Sequence, residues 1–477
     1  MMNPRTIVIL AAGTGSRIEN LRKEKPKPLI KLGGLSLIER SIRSAQRRGF
    51  TKFVIVVGFQ GEDIRHELQD GSQWGVDIQY VQNDQWSKKN GISVLCAKPK
   101  VTTDEFVLLM SDHVLDQTFF DRINQTKLEH DLLLMTDSKL DEIFDMEDAT
   151  KVETDGKYIL NIGKTIPTYQ TIDTGVFICK SSFFNILEDF YKKNGDVSLS
   201  EGVNLLVSQK RAVIQDIGEM WWQDVDAKPA YKHAEKLMLK KQIKKTDVWV
   251  ARHFNRPISL FFSKYLVRTP ITPNQTSFLG FFAGLMAPVF LVWGNYWGFL
   301  LGAFCYHMSS VLDGCDGEIA RMKMMESQGG EWMDTLTDTI SHFLFLSGMV
   351  YGLVKVTGQA WPVYMGVTSL ISIVSLVLVM FKFIRGQQRG TLIAFDQAFE
   401  KNVTKDQNFF ARMALFCKPI MRRANFAFLF FLLALIGKIS WVLTLIAVGP
   451  LVTLVLILIT FRSQIFGSKQ TAYDRSN

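Results

Sequence analysis

Four aspartates lie in a stretch of sequence that borders long apolar runs. Asp313 and Asp316 are three residues apart, and Asp334 and Asp338 are four apart. On helices each pair would share one face. A charged aspartate at the centre of a bilayer costs about 2.5–3.5 kcal/mol, which favours a polar cavity that binds something. Clustered carboxylates suit Mg²⁺, Mn²⁺ or Ca²⁺, so the spacing predicts a metal site at a membrane boundary. The alternative is a solvated loop between two helices.

A second group of chemically active residues lies near the N-terminus. The run Ala11-Ala12-Gly13-Thr14-Gly15-Ser16-Arg17 follows a short apolar segment, and Lys27 comes soon after it. Glycines after a strand let the backbone approach phosphates, and the two cations can add positive charge. The glycine spacing matches neither a Walker loop nor a dinucleotide fingerprint. The pattern therefore predicts a triphosphate site.

Further carboxylates follow in the same half of the chain. Asp112 comes directly after the apolar run Phe106–Met110, and Asp224 and Asp226 lie close together later. In α/β sheets ligands bind at the carboxyl ends of strands, where two such carboxylates could hold Mg²⁺ against phosphates. A helix cap or turn role stays open for each aspartate. We expect His113 to be a packing or hydrogen-bonding group.

The elements that would position these residues alternate through the first half. Helical stretches such as Leu37–Arg48 and Ser182–Tyr191 separate several short apolar runs, which predicts a doubly wound, mixed α/β sheet. The strand-like runs are Thr6–Leu10, Phe53–Gly58, Ile78–Val81, Phe106–Met110, Leu132–Met135 and Val176–Cys179.

Length and charge indicate a membrane protein of more than one domain. The chain has 477 residues and a net charge of +9, and its excess base lies beside apolar runs. That placement favours a membrane surface over nucleic acid. Five scattered cysteines without a CxxC pair argue against a disulfide framework or a zinc site. The predicted parts are a cytosolic domain at 1–235, a basic linker and interfacial helix at 236–275, a transmembrane domain at 276–465 and a polar tail at 466–477.

Apolar runs in the second half predict an all-α domain with six membrane spans. The segment 382–423 carries nine Lys and Arg residues, whereas the alternate loops offer only Lys355 and Lys438. The positive-inside rule then places both termini, the 318–331 loop and the first domain in the cytoplasm. The predicted spans lie near 276–293, 297–316, 334–354, 361–384, 424–437 and 440–461.

The first half resembles the sugar-phosphate nucleotidyltransferases over about residues 5–235. The likeness rests on LAAGTGSR at 10–17, PKPL at 26–29, Asp112 and the late Asp-Val-Asp at 224–226. It implies that Arg17 and Lys27 bind and activate a triphosphate, and that a divalent metal, Mg²⁺ or Mn²⁺, is held. The remaining implied roles are metal ligation by Asp112 and Asp226, nucleotide binding by Ala11, Gly13, Gly15, Asn90 and Ser93, and acceptor binding by Lys164 and Asp173.

The second half resembles the CDP-alcohol phosphotransferases. The spacing Asp313-x2-Asp316-Gly317-x2-Ala320-Arg321-x8-Gly330-x3-Asp334-x3-Asp338 matches their signature without departure. The resemblance implies a six-helix membrane enzyme, usually a homodimer, with Mg²⁺ or Mn²⁺ at its aspartates. Asp338 would also take a proton from the acceptor. The other implied roles are metal ligation by Asp313, Asp316, Asp334 and Asp338, nucleotide contact by Gly317, Ala320 and Arg321, and phosphate binding by Lys323.

The combination of the two halves resembles bifunctional inositol-1-phosphate cytidylyltransferase/CDP-inositol:inositol-1-phosphate transferases. The resemblance implies CTP, inositol 1-phosphate and CDP-inositol as ligands. Two alternatives stay open. The second half could be a phospholipid synthase that uses CDP-diacylglycerol, or the first half could be a degenerate docking module. Because the set of residues in the first half is complete, we expect an active enzyme there.

Overall fold

The change in composition near residue 240 coincides with a division of the chain into two units. In the computed structural model these are Met1–Lys241 and Gln242–Asn477. The structure describes residues 5–18, 25–244, 246–386 and 422–460. The predicted tail at 466–477 and most of the basic segment 382–423 lie outside the described residues. Each unit is described by itself below.

The first unit is built on strands rich in Val, Ile and Leu, as the apolar runs predict. Its strands are β1 (Thr6–Ala11), β2 (Lys31–Leu32), β3 (Leu35–Ser36), β4 (Lys52–Val57), β5 (Asp77–Gln82), β6 (Glu105–Met110), β7 (His113–Leu115), β8 (Leu132–Asp137), β9 (Lys151–Thr154), β10 (Ile159–Gly163), β11 (Thr171–Lys180), β12 (Ala212–Asp216) and β13 (Trp222–Asp224).

Nine of these strands form one mixed sheet within the described residues. The order β10-β9-β11-β6-β1-β4-β5 is extended by β8, which pairs with β11, and by β12, which pairs with β8. Strand β1 runs parallel to β4 and β6, whereas β11 runs antiparallel to β6 and β8. The two small ladders β2–β3 and β7–β13 lie apart from this sheet. The prediction of a mixed α/β fold is confirmed.

Alternate residues of β1 contribute to two different hydrophobic cores. Ile7 and Ile9 belong to one cluster and Val8 and Leu10 to the other, and all four are buried. Because successive side chains of a strand point to opposite faces, both faces of the sheet are covered. The covering helices are α1 (Leu37–Gln46), α2 (Gly61–Leu68), α3 (Asn90–Ala97), α4 (Thr118–Gln125), α5 (Ser182–Asn194), α6 (Leu199–Val207) and α7 (Lys228–Lys240).

All regular elements in the described residues of the second unit are helices. Thr272 starts the helix α9 with a capping box to Gln275, and Pro273 occupies the first turn, where its missing N–H costs nothing. The helices are a short π-helix (Ala251–Asn255), α8 (Arg256–Leu266), α9 (Pro273–Leu291), α10 (Tyr296–Met322), α11 (Gln328–Thr357), α12 (Trp361–Gly386), α13 (Arg423–Leu435) and α14 (Ile439–Thr460).

Close packing in this unit depends on small residues. A Cβ added at Gly352 of α11 would lie 2.2 Å from the carbonyl oxygen of Leu291 of α9, so only glycine fits there. Helices α9 to α14 overlap the six predicted spans. Two helices in the described part of the chain, Gln328–Thr357 and Ile439–Leu456, are long and apolar enough to cross a membrane. The count of six spans stays a prediction.

Candidate active sites

Lys27 lies at the centre of the site in the first unit. It begins the 3₁₀ turn Lys27–Leu29, and its side chain is only 9% exposed. Its Nζ donates to Asp112 Oδ2 at 2.6 Å and also to Asp226 Oδ1. Burial opposes the charge on Lys27, but the two carboxylates outweigh it and raise the pKa of the ammonium. Lys27 is therefore a fixed cation between two acidic groups.

The β7–β13 ladder explains why Asp112 and Asp226 meet. Asp112 lies between β6 and β7, and the N–H of Val225, just after β13, donates to the carbonyl of Asp112 at 3.0 Å. Burial alone would raise the pKa of the Asp112 carboxyl, but Lys27 and His113 hold it well below its usual range. The ladder thus brings two carboxylates that are far apart in sequence to one ammonium.

The turn after β1 is shaped by Gly15. Its φ is +58°, a left-handed conformation that favours glycine, and an added Cβ would lie 2.7 Å from Lys27 Cβ. A Cβ added at Gly13 would meet no described atom within 4 Å. Ala11 is buried at the end of β1. Gly15 is therefore required for packing against Lys27, whereas the space beside Gly13 is open. Phosphate binding at Gly13 stays a prediction.

Asp148 belongs to this site although no sequence motif marks it. It lies in the loop between β8 and β9, and it accepts hydrogen bonds from Arg17 Nη1 and Lys164 Nζ, both at 2.5 Å. Arg17 Nη2 also donates to Asp226 at 2.7 Å. Burial would raise the pKa of the Asp148 carboxyl, but Lys164 and Arg17 lower it to about 2. Arg17 and Lys164, which are predicted to bind the phosphates of different substrates, are therefore bridged by the Asp148 carboxylate.

Three carboxylates of this site lie close enough to hold a cation together. Oxygen atoms of Asp148, Asp224 and Asp226 all lie within 4.8 Å of one another. Hard oxygen ligands at this spacing fit a divalent cation such as Mg²⁺. Asp112 is not in this group and reaches Asp226 through Lys27. Metal ligation by Asp112 stays a prediction.

Asn90 and Ser93 have protein partners in this structure. Asn90 Oδ1 accepts from the N–H of Leu199 at 2.9 Å, at the first turn of α6. Ser93 Oγ, which is buried, accepts from Asn83 Nδ2 at 2.9 Å. Both side chains therefore help to order the segment around α3. Their contact with a base or ribose stays a prediction.

Asp173 is a partly buried carboxylate with few compensating partners. Its Oδ1 accepts from the N–H of Gly175 at 2.7 Å, and burial raises the pKa of the carboxyl to about 6. His113 Nδ1 lies 2.8 Å from the carbonyl oxygen of the neighbouring Thr174, which agrees with its predicted hydrogen-bonding role. A desolvated carboxylate beside a cleft of charged groups is typical of a ligand-binding position.

Asp173→Asn is expected to stabilise the first unit at neutral pH. A raised pKa means that the folded protein binds a proton that the unfolded chain has lost between about pH 4 and pH 6. The free energy of unfolding of the wild-type protein therefore falls as the pH rises through that window. The loss is about 2–3 kcal/mol above pH 6, because one pKa unit corresponds to about 1.4 kcal/mol. The asparagine variant should gain this amount above pH 6 and nothing below about pH 4.

Hydrogen exchange of peptides from Thr171–Lys180 in the full-length protein measures this gain, compared with wild type at each pH. Asp77→Asn, at an exposed position of β5, controls for the loss of one surface charge. Equal protection of wild type and Asp173→Asn at pH 7.5 would contradict the prediction.

In the second unit, three of the motif aspartates meet. Asp313 and Asp316 lie on α10 and Asp334 on α11, and carboxylate oxygens of the three lie within 4.8 Å of one another. Asp316 also accepts from Ser277 Oγ of α9 and from the N–H of Gly317. Three convergent carboxylates with half-buried side chains fit a divalent cation. Ser277, which the sequence did not indicate, orients one of them.

Arg423 is the main residue of this site that the sequence did not identify. The sequence predicts for Arg423 only a contribution, together with eight other Lys and Arg residues, to the orientation of the chain in the membrane. Its Nη1 donates to Asp338 Oδ1 and, at 3.1 Å, to Asp313 Oδ1, and its Nη2 donates to Ser309 Oγ at 3.0 Å. The structure therefore pairs Asp338 with an arginine that also contacts Asp313, whereas the three close carboxylates are those of Asp313, Asp316 and Asp334. Metal ligation by Asp338 stays a prediction.

Arg423→Lys is expected to lower the activity of the second unit by about 10–100-fold. Arginine reaches three acceptors here through a rigid planar fork, whereas a lysine ammonium cannot hold the same geometry. A displacement of about 1 Å at a reacting group costs a comparable factor. The rate of phosphodiester formation from supplied CDP-conjugate measures the effect, and the activity of the first unit in the same chain is the internal control. An unchanged rate would contradict a role for Arg423 in ordering Asp338.

The remaining motif residues have different surroundings. A Cβ added at Gly317 would lie 3.2 Å from Arg321 Nη1, so glycine leaves room for the guanidinium. Arg321 Nε donates to Gln242 at 2.9 Å, and its Nη2 is buried without a hydrogen-bond partner among the described residues. An unpaired buried donor beside carboxylates suits a phosphate oxygen. Ala320 is partly buried on the same helix, and the N–H of Gly330 donates to Ser327 Oγ.

Lys323 is used to hold the chain in place. Its Nζ donates to the carbonyl oxygens of Thr269 and Ile271, both at 2.7 Å, and the residue is buried. These contacts fix the segment that leads into α9. Phosphate binding by Lys323 stays a prediction.

Each unit contains a match to a known protein family. A family described as MobA-like NTP transferase domain matches residues 7–139, and a family described as CDP-alcohol phosphatidyltransferase matches residues 270–448. A solved structure described as the inositol-1-phosphate CTP transferase from T. maritima shares 24% identity, with a TM-score of 0.44 over 49% of this chain and 97% of that one.

Two relatives match about three quarters of the chain, which is more than either unit alone contains. A bifunctional IPC transferase and DIPP synthase of Aquifex aeolicus is 32% identical over 73% of this chain and 77% of that protein. A protein of the same name from Thermococcus kodakarensis is 32% identical over 74% and 77%. The chain is a transferase with a nucleotidyltransferase unit and a CDP-alcohol phosphotransferase unit, and it belongs to the family of bifunctional IPC transferases and DIPP synthases.

Proposed function

We propose that this protein carries out two consecutive transfers on inositol phosphate. The first unit joins CTP and inositol 1-phosphate to give CDP-inositol and pyrophosphate. The second unit transfers the inositol-phosphate group of CDP-inositol to a second inositol 1-phosphate, which releases CMP and forms di-myo-inositol phosphate phosphate. The names of the relatives, which match about three quarters of the chain, support this pair of reactions.

The observation that carries the proposal is the presence of a phosphate-type site in each unit. The first unit holds a buried ammonium between two carboxylates, with a second cation nearby. The second unit holds three convergent carboxylates beside an arginine. Two sites of this kind fit an enzyme whose second reaction consumes the product of the first.

In the first reaction, a phosphate oxygen of inositol 1-phosphate attacks the α-phosphorus of CTP. The bond between the α-phosphorus and the bridging oxygen breaks, and pyrophosphate leaves. Lys27 and Arg17 stabilise the negative charge that grows on the triphosphate, and no protein nucleophile is required. Lys164 binds the phosphate of the acceptor. Because Lys27 is already fixed by two carboxylates, little reorganisation is needed when charge develops.

In the second reaction, a hydroxyl of the acceptor attacks the phosphorus that carries inositol in CDP-inositol. The bond from that phosphorus to the CMP oxygen breaks. Asp338 accepts the hydroxyl proton, and its contact with Arg423 orients the carboxylate for this task. Arg321, whose Nη2 has no partner among the described residues, binds a phosphate oxygen of the donor.

Both units are proposed to use Mg²⁺ or Mn²⁺. Asp313, Asp316 and Asp334 would hold the metal in the second unit, and Asp226 with Asp112 or Asp224 would hold it in the first. A divalent ion supplies Lewis-acid stabilisation of charge on transferring phosphoryl groups. The carboxylate groups described above fit such an ion in both units.

The membrane arrangement is also a proposal. Six spans with a cytoplasmic first unit follow from the apolar runs and from the Lys and Arg distribution. Cytoplasmic placement gives both sites access to CTP and water-soluble intermediates. A homodimer through the second unit follows from the resemblance to the CDP-alcohol phosphotransferases.

Mass spectrometry of products from the purified protein tests the function. The protein is incubated with CTP, Mg²⁺ and a panel of polyol phosphates, without lipid. We expect CDP-inositol first and a water-soluble di-inositol phosphodiester later, with CMP in equal amount to the latter. Product that forms only when CDP-diacylglycerol is added would show a phospholipid synthase and overturn the proposal.

A further inference from the structure

We propose that Asp148 is a positioning residue that sets the spacing between the two phosphates joined in the first reaction. This inference rests on the function proposed above. It concerns a loop residue that belongs to neither sequence motif. Its carboxylate contacts one cation assigned to each substrate, Arg17 for CTP and Lys164 for inositol 1-phosphate.

The contacts of Asp148 are divided between its two oxygens. Oδ2 accepts from Arg17 Nη1 and Oδ1 accepts from Lys164 Nζ, each at 2.5 Å. Arg17 comes from the turn after β1, and Lys164 comes from the chain just after β10. Two cations from separate parts of the sheet are therefore held within the span of a single carboxylate.

That spacing matches what the reaction requires. Arg17 is assigned to the triphosphate and Lys164 to the phosphate of inositol 1-phosphate. The attacking oxygen must approach the α-phosphorus to about 3–3.5 Å before the bond forms. The product holds the two phosphorus atoms across one bridging oxygen. Cations placed on neighbouring oxygens of one carboxylate are set for two phosphates that must become neighbours.

Exposure shows why the two cations need such a tether. The side chains of Arg17 and Lys164 are 57% and 56% exposed, whereas that of Asp148 is 25% exposed. Long exposed cationic side chains sample many rotamers, and only some of these place the two bound phosphates close enough to react. The backbone of Lys164 is also fixed, since its carbonyl accepts from Lys151 Nζ at 3.0 Å. Asp148 therefore orders the two side chains before the substrates arrive.

Asp148→Asn tests this role because asparagine keeps the shape and removes the charge. We expect kcat for CDP-inositol formation to fall by about 10–100-fold, as for a misplaced reacting group. The KM values for CTP and inositol 1-phosphate should not rise, because each freed cation still binds its own phosphate. Asp148→Glu should recover part of kcat, since the tether is restored with one extra methylene. The matched control is Asp145→Asn in the same loop, which should behave as wild type.

The outcomes separate this role from its alternatives. Unchanged KM values show that the first unit of each variant is folded, and unchanged transfer from supplied CDP-inositol, measured on the same preparations, shows that the second unit is intact. A kcat for Asp148→Asn equal to wild type would overturn the inference. So would a rise in both KM values at constant kcat, which indicates support of the loop alone. A wild-type protein that makes no CDP-inositol would instead refute the proposed function, and this inference with it.

Discussion

Asp316→Asn is expected to lower phosphodiester formation by about 10²–10³-fold, the cost of removing one preorganised electrostatic group from a phosphoryl-transfer site. Ser277 Oγ and the N–H of Gly317 donate to different oxygens of Asp316, and the single amide oxygen of asparagine can accept from one of them. The variant therefore removes the charge while keeping the shape and one of the two hydrogen bonds. CDP-inositol should accumulate because the first unit continues to make it.

Two measurements make the Asp316 test decisive. The ratio of CDP-inositol to phosphodiester is followed by mass spectrometry in one reaction. Mn²⁺ binding to the second-unit site is followed by electron paramagnetic resonance, which does not depend on turnover. Glu331→Gln is the matched control, since it removes one carboxylate from the first turn of α11 at an exposed position. Full transfer activity in Asp316→Asn, with Mn²⁺ bound as tightly as in wild type, would contradict metal ligation by Asp316.

Lys27→Ala is expected to lower CDP-inositol formation by about 10²–10³-fold, again the range for losing one preorganised charge-stabilising group. The loss has two physical parts. The triphosphate loses a buried cation, and Asp112 and Asp226 lose the ammonium that separates them, so their mutual repulsion rises. Both parts act on the first unit. Transfer from supplied CDP-inositol should stay within about twofold of wild type, as expected for independent sites.

Lys25→Ala is the matched control for Lys27. Lys25 lies two residues away, its side chain is 53% exposed, and it pairs with Glu67 at 3.5 Å. Exposed pairs of this kind contribute little, so the control should keep near-normal activity. If Lys27→Ala still makes CDP-inositol at the wild-type rate, the first unit is not the enzyme proposed. The docking alternative would then explain its presence.

In the second unit, the sequence predicts the clustered aspartates but not the arginine that contacts them. The metal-type cluster of the second unit consists of residues already marked by their spacing, because helical periodicity converts three- and four-residue intervals into a shared face. Arg423 does not follow from any such interval. It lies on α13, and its partners Asp313 and Asp338 lie on α10 and α11. Only the packing of these helices determines that this particular arginine reaches the aspartates.

The first unit shows the same limit. The glycines of the first turn and the cations Arg17 and Lys27 could be read from local pattern, since tight turns and phosphate-binding segments need those residue types. Asp148 lies 131 residues from Arg17 and 16 from Lys164, in a loop without a motif. Asn90 is a further example. Its role in ordering the start of α6 depends on a partner 109 residues away.

By itself, the sequence determined the mixed sheet, the helical second half, the turn of Gly13 and Gly15 and the spacing of the four aspartates. These features depend on short-range periodicity and local conformational preference, which can be read from a single sequence. The tertiary structure decided which charges meet: Lys27 with Asp112 and Asp226, Arg17 and Lys164 on Asp148, and Arg423 on Asp338. Such pairs join segments far apart in the chain, and the sequence around a carboxylate does not indicate which cation will pair with it.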